Sequence, residues 1–299
     1  MKTCLSTGVC PDWDLATVVR SAAAAGFEAV EIHASGHNPI VSVDPDRSAP
    51  GSVRRAFADA GVELAGIATD VQLPAPAGDP QPAERVRRYL RLAERLGSAF
   101  VRVLAGPDRP GPRDAVLGEL VRALSALAPV AAEHRVTLLL ENCGACLSSG
   151  QMWYVLDAVA HPYVRCCWHP ARALAIGERP TLSVPRLNRK IGMVRIWDGR
   201  FDENGRLCSV ELPGQGDLNV PRLIALLRGI AYDGGLVFDW PASRPLPAPP
   251  ETVLPAVATH LKQQIAARGQ VLSAYRGDKT APRYADPSSR SFAGSTQDR

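Results

Sequence analysis

Val136-Thr137-Leu138-Leu139-Leu140-Glu141 decides the fold: an apolar run of strand length that ends on a carboxylate. Three later segments repeat the pattern, closing on Trp168-His169, on Arg195-Ile196-Trp197-Asp198 and on Phe238-Asp239. Working outward from them, β-rich stretches alternate with longer helical ones along the chain, the pattern of repeated βα units around a parallel sheet. The strands read as Lys2–Ser6, Ala29–His33, Glu63–Ala68, Phe100–Leu104, Val136–Glu141, Val164–His169, Met193–Trp197 and Leu236–Asp239. Helical spacing of apolar residues marks Leu15–Ala25, Ser52–Ala60, Ala83–Leu96, Asp114–Glu133, Gly150–Ala160, Val220–Ala231 and Pro255–Arg268. Eight such strands predict an α/β chain folded as a (β/α)8 TIM barrel, a single domain over residues 1–268. The competing open, doubly wound sheet lacks the glycine-rich phosphate loop after its first strand.

A chain of 299 residues, 46% hydrophobic, is long enough for one large core. The apolar runs break short of a membrane span and no leader opens the sequence, so a cytoplasmic protein without membrane contact is expected. Seven cysteines, an odd number, suit reduced thiols. A formal charge of +4 with mixed signs gives no basic stripe for nucleic acid. From 269 to 299, and most clearly from about Arg276, Ser, Asp, Arg and Pro dominate, so a flexible tail is expected. Pro74–Pro82, Pro107–Pro112 and Pro245–Pro250 fall after strands three, four and eight, on the face where barrel active sites sit.

Gly26-Phe27-Glu28-Ala29-Val30-Glu31, Leu139-Leu140-Glu141-Asn142 and Trp168-His169-Pro170-Ala171-Arg172 resemble strands two, five and six of the xylose-isomerase-like barrels. Met193–Asp198 resembles their seventh strand; Pro213-Gly214-Gln215-Gly216-Asp217 and the stretch from Tyr232 to Asp239 resemble their final loop, helix and strand. The group includes sugar-phosphate isomerases, ketose 3-epimerases and endonuclease-IV-like enzymes. In the epimerase branch a divalent cation, commonly manganese, is held by Glu, Asp, His and Glu from strands five to eight, and the two glutamates exchange the substrate proton. Carried onto this chain, Glu141 matches the first ligand, His169 replaces the Asp, Arg195 replaces the His, and Asp239 shortens the last Glu. Arg172 stands where a second-site histidine is frequent.

Glu141, His169 and Asp239 alone suit a three-ligand site for manganese, zinc or magnesium. Arg195 opposes it, because a permanent guanidinium repels a cation and pairs with carboxylate, phosphate or a developing oxyanion. The expectation is therefore a degenerate metal site and no cofactor. Arg195 and Arg172 would hold an anionic intermediate, Glu141 and Asp239 would act as base and acid, and His169 is the alternative proton carrier. Arginines merely neutralising these carboxylates in structural ion pairs is the plainer reading.

Glu31 and His33 share one face of strand two and are candidates for substrate contact, with His37 beyond them a solvated loop residue. Asp198 and Arg200 resemble positions that orient ligands or bind a substrate oxygen, a surface salt bridge being the alternative. Trp168, Trp197 and Trp240 close strands six to eight and are candidate pocket walls. Cys143-Gly144-Ala145-Cys146 with Cys166-Cys167 suggests zinc or redox chemistry, but Cys166 and Cys167 must face opposite ways, and buried small hydrophobes explain them better.

The leading expectation is an isomerase- or epimerase-like enzyme moving a proton next to a carbonyl on a small oxygenated metabolite by acid–base chemistry, without the usual divalent metal. A repurposed lyase, dehydratase or cyclase of a specialised bacterial pathway, and a non-catalytic ligand-binding barrel, are the alternatives. Barrels of the resembled group often pair into dimers or tetramers.

Overall fold

The computed structural model describes residues 1–34, 40–43, 49–75, 81–106 and 112–267. His37, most of the loops after strands three and four, and the expected tail from 269 onward lie outside them. Eight parallel strands close into a barrel: β1 (Lys2–Ser6), β2 (Ala29–His33), β3 (Glu63–Leu73), β4 (Phe100–Ala105), β5 (Thr137–Glu141), β6 (Val164–Trp168), β7 (Ile191–Ile196) and β10 (Gly235–Phe238). β10 pairs with β1 from Lys2 against Gly235 to Leu5 against Phe238, which seals the sheet. The compact unit runs from Met1 to Ala266.

Nine helices are seen among the described residues: α1 (Leu15–Ala25), α2 (Pro50–Ala60), α3 (Pro82–Leu96), α4 (Arg113–Glu133), α5 (Ser149–Val159), α6 (Pro170–Leu174), α7 (Pro180–Leu187), α8 (Val220–Gly229) and α9 (Pro250–Ala266). Local chemistry sets their ends. Asp14 accepts from the Thr17 amide and Gly26 closes α1 at φ 90°, while Ser148 and Gln151 form a reciprocal capping box on α5. α6 and α7 are absent from the helices read in the sequence, because one has only five residues and the other carries Pro185 inside it. An antiparallel hairpin, β8 (Asp198–Phe201) with β9 (Leu207–Glu211), is a second unforeseen insertion, between β7 and α8. Helix α4 is long and apolar enough by composition to cross a membrane, a correction to the expectation that no run reaches that length. It instead buries Leu117, Leu120, Leu124, Leu127 and Ala131 as one stripe, the spacing of a helix laid on a barrel.

Two cores follow from strand alternation. The larger fills the space between strands and helices, and the smaller, inside the barrel, consists of Cys4, Ala29, Leu139, Cys167, Met193 and Val237, with Ala65 and Phe100 against it. Side chains two residues further along a strand point the same way. Stepping by two from that apolar layer gives Ser6, Glu31, Arg102, Glu141, His169, Arg195 and Asp239, so a polar layer sits on the apolar one at the C-terminal mouth.

Candidate active site

Arg195 stands at the centre of the polar layer. Its side chain is 3% exposed, and its guanidinium faces three carboxylates from three strands. Nη1 donates to Glu31, Nη2 and Nε reach both oxygens of Asp239 at 2.7 and 3.3 Å, and Nε lies 3.7 Å from Glu141. Ser6 Oγ accepts from Nη2 at 3.4 Å. A two-pronged Arg–carboxylate pair is the strongest form of this interaction. Burial pushes the guanidinium down, but Asp239, Glu31 and Glu141 together hold it well above its ordinary value.

Glu141 is buried and faces three arginines. Arg172 Nη2 lies 3.0 Å from Oε1, and Arg102 Nε lies 3.2 Å from Oε2 opposite the more distant Arg195. Burial alone would raise its pKa; the guanidiniums of Arg102, Arg172 and Arg195 outweigh that and hold it at about 2. For Asp239, burial likewise pushes up, and Arg195 brings the carboxyl below its usual value. Arg102, which the sequence reading passed over, is braced by Nη1 donating to the Thr69 carbonyl at 2.8 Å, while Thr69 Oγ1 donates to the Arg102 carbonyl. The signal was present: an arginine in the middle of Phe-Val-Arg-Val-Leu, two residues beyond an inward Phe100, has to be paired inside the barrel.

His169 is the unpaired member of the layer. It is fully buried, and among the described residues neither ring nitrogen has a hydrogen-bond partner. Burial, reinforced by Arg172, lowers its pKa to about 3, so the imidazole is neutral. Its backbone is fixed by Asn142, whose Oδ1 accepts from the His169 amide at 2.6 Å and whose Nδ2 donates to the His169 carbonyl at 3.1 Å. The Trp197 ring meets the imidazole edge-on, centroids 5.1 Å apart. His33 sits with Nε2 3.3 Å from Arg102 Nη2. Because arginine can only donate, Nε2 is the acceptor and the proton resides on Nδ1. Burial and then Arg102 lower the His33 pKa.

The remaining candidates scatter. Trp168 alternates with Cys167 and His169, so it points outward and packs in the core between strands and helices, and Trp240 joins that outer core with Nε1 donating to the carbonyls of Arg244 and Pro245. Of the three tryptophans only Trp197 contacts the polar layer. Arg200 is 59% exposed on the hairpin, 3.7 Å from Glu211 and donating to the Gln215 carbonyl at 2.7 Å. Asp198 is neither a surface partner nor a mouth residue. Its buried carboxylate accepts from the amides of Gly199, Gly214, Gly216 and Leu218 at 2.8 to 3.0 Å, pinning the loop after the hairpin. Gly216 is required there, since a Cβ would stand 2.4 Å from Asp198 Oδ1. All seven cysteines are unpaired, and only Cys208 is exposed. Burial raises Cys143 to about 11 and Cys10 to about 12, which leaves these thiols inert.

The donor set does not suit a divalent cation. The carboxylates that would ligate it already surround a guanidinium, and among the described residues no three His, Cys, Asp or Glu side chains form a group able to hold a metal. Arg195 places a fixed positive charge where a cation would have to enter.

A family model described as xylose isomerase-like TIM barrel matches residues 19–264. Among solved structures, the chain is similar to a xylose isomerase domain protein from Alicyclobacillus acidocaldarius, at 19% identity and TM-score 0.73, covering 89% of this chain and 98% of that one. D-psicose 3-epimerase from Clostridium cellulolyticum H10, solved with D-tagatose, matches at 13% identity and TM-score 0.73, covering 89% and 100%. The probable 3-DHS dehydratase AsbF from Bacillus anthracis matches at 16% and 0.73, covering 90% and 100%. No curated protein matches the sequence. At these identities the likeness is one of fold.

Proposed function

Because the chain belongs to the xylose isomerase-like TIM barrel family, we propose that it moves a proton next to a carbonyl of a small oxygenated metabolite without a divalent metal, using His169 as the proton carrier. The observation that carries this reading is the buried, neutral His169 with both ring nitrogens unpartnered, set beside guanidiniums. A general base needs a free lone pair and must be unprotonated at working pH. Glu141 is ionised, but three guanidiniums crowd its oxygens and a pKa of about 2 leaves it a weak base. Asp239 has both oxygens on Arg195. The base and acid roles expected for these carboxylates from the sequence pass to the imidazole, and the carboxylates instead hold the arginines in place.

In this chemistry His169 takes the proton from the carbon beside the carbonyl. The C–H electron pair becomes the enediolate double bond, and the carbonyl oxygen takes up the negative charge. Arg172, 36% exposed and the outermost of the three guanidiniums, faces that charge, with Arg102 and Arg195 behind it. The developing anion raises the basicity of the neighbouring imidazole; an isomerisation is completed when the imidazolium returns its proton to the former carbonyl carbon while the hydroxyl proton of the deprotonated carbon passes to the former carbonyl oxygen. In a dehydration the enolate re-forms the carbonyl, the electron pair expels the hydroxyl of the next carbon, and the imidazolium proton leaves with it as water. One unlocked carrier favours these outcomes over inversion by two opposed carboxylates. We place the protein in the cytoplasm, in keeping with its unpaired thiols.

The test is turnover of a panel of ketoses, aldoses, keto acids and hydroxy acids by the wild type and by His169→Asn, with and without chelator. Loss of turnover in the variant and indifference to chelator are expected. Full activity in His169→Asn, or activity that returns only with manganese, would refute the assignment.

A further inference from the structure

We infer that the mouth takes a substrate bearing a carboxylate, anchored on Arg172, so that the family reaction proposed above is run on a hydroxy or keto acid and not on a neutral sugar. This rests on that reading and narrows its substrate class. The inference comes from what the polar layer leaves unsatisfied. A polyol presents many hydroxyl hydrogens and needs open acceptors. Here every carboxylate of the layer lies against a guanidinium: Glu31 against Arg195, Asp239 against both prongs of Arg195, and Glu141 against Arg102, Arg172 and Arg195. The acceptors left without a hydrogen bond are few and buried, namely Glu31 Oε1, Glu141 Oε2 and one nitrogen of the neutral His169, too few for the hydroxyls of a polyol.

Donors remain. Arg195 is enclosed by three carboxylates and Ser6, and Arg102, 5% exposed, by Glu141, Thr69 and His33. Among the described residues Arg172 pairs with Glu141 through a single nitrogen, and its buried Nε has no hydrogen-bond partner. It is also the most exposed of the three, at 36% against 5% and 3%. Beside it lies His169, fully buried and without partners on either nitrogen. A ligand rich in acceptors and planar at its charged end satisfies this arrangement, because a guanidinium fork matches a carboxylate. Held there, the carbon next to the carboxylate comes beside the imidazole. A phosphate dianion fits less well, since Glu141 lies 3.0 Å from Arg172 and the second charge meets it.

The experiment is equilibrium binding by calorimetry and saturation-transfer NMR at fixed ionic strength, with D-glycerate, glycerol and inorganic phosphate as probes. The proteins are wild type, Arg172→Met, Arg172→Lys and His169→Asn. Glycerate is expected to bind wild type, glycerol not measurably, and phosphate more weakly than glycerate. Arg172→Met should lose glycerate affinity by at least about tenfold, and Arg172→Lys should keep part of it, since it retains the charge without the fork. Glycerate binding that persists in His169→Asn while turnover is lost supports both readings. Binding in wild type that depends on Arg172, with turnover intact in His169→Asn, would leave the carboxylate anchor standing and remove the proton-carrier role. Glycerol binding as well as glycerate, unchanged affinity in a folded Arg172→Met, or tighter binding of phosphate overturns the carboxylate site.

Discussion

Replacing Arg195 with methionine removes the one cation that contacts Glu31, Glu141 and Asp239 together. Glu141 keeps Arg102 and Arg172, but the fully buried Glu31 loses its only ionic partner among the described residues. Removing one member of a buried ion pair costs about 3 to 5 kcal/mol, because the other charge is left in a poorly solvated interior. For a barrel of this size that is roughly a 10 °C fall in melting temperature. The pH dependence is the sharper readout. In the wild type, Glu141 titrates at about 2, below its unfolded value, so its contribution is present above the unfolded pKa and is lost as pH falls toward 2. In the variant, protonation relieves the uncompensated negative charge of the carboxylate cluster, so native protein takes up a proton that unfolded protein does not, and stability recovers as pH falls, by up to about 1.4 kcal/mol per unit. Urea unfolding at about pH 7.5 and about pH 5 separates the cases. The penalty of the variant should shrink at the lower pH. A variant as stable as wild type near neutrality, or a penalty that grows on acidification, would show that Arg195 does not neutralise this cluster.

Arg195→His puts an imidazole where the guanidinium excludes a cation, and elemental analysis after dialysis against manganese should find near-stoichiometric metal in that variant and none in wild type; retained metal in wild type would reverse the account of Arg195. His169 is held neutral with a pKa of about 3, below its unfolded value, so the unfolded state binds the extra proton between about pH 6.5 and 3 and wild-type stability should fall through that window. His169→Gln should flatten the fall by a few kcal/mol at most; an unchanged profile counts against a buried neutral imidazole. Asp198→Ala leaves four backbone amides without their shared acceptor and should destabilise the loop by about 3 kcal/mol, read as faster proteolysis and hydrogen exchange between residues 199 and 218. A thiol reagent added to native protein should titrate Cys208 rapidly and the other six only on unfolding; a second fast thiol would contradict their burial.

Much of the barrel was legible because strand alternation and helix spacing are local. β1, β2 and α1 have the bounds read from the sequence, and β4, β5, β6, β7 and β10 differ by a residue or two at their ends. β3 runs on to Leu73, five residues beyond the expected Ala68, and the hairpin β8–β9 was missed, since its pairing is decided by what it packs against. In the mouth, alternation alone placed Glu31, Glu141, His169, Arg195 and Asp239 on the inward face. It would have placed Arg102 there too, had a charge inside an apolar strand been given weight. Trp168 shows the limit of reading strand ends by proximity: one residue of register sends a side chain to the other face of the sheet.

The sequence by itself determined the eight-strand pattern and the residue types at the C-terminal strand ends, because periodicity is written into consecutive residues. Only the tertiary structure decided which charges cancel. Glu31 and Arg195 lie 164 residues apart and meet through closure of the barrel. That closure surrounds Glu141 with three guanidiniums and leaves both ring nitrogens of His169 without a hydrogen-bond partner among the described residues, since ion pairing and burial depend on distances across the barrel that no local pattern encodes.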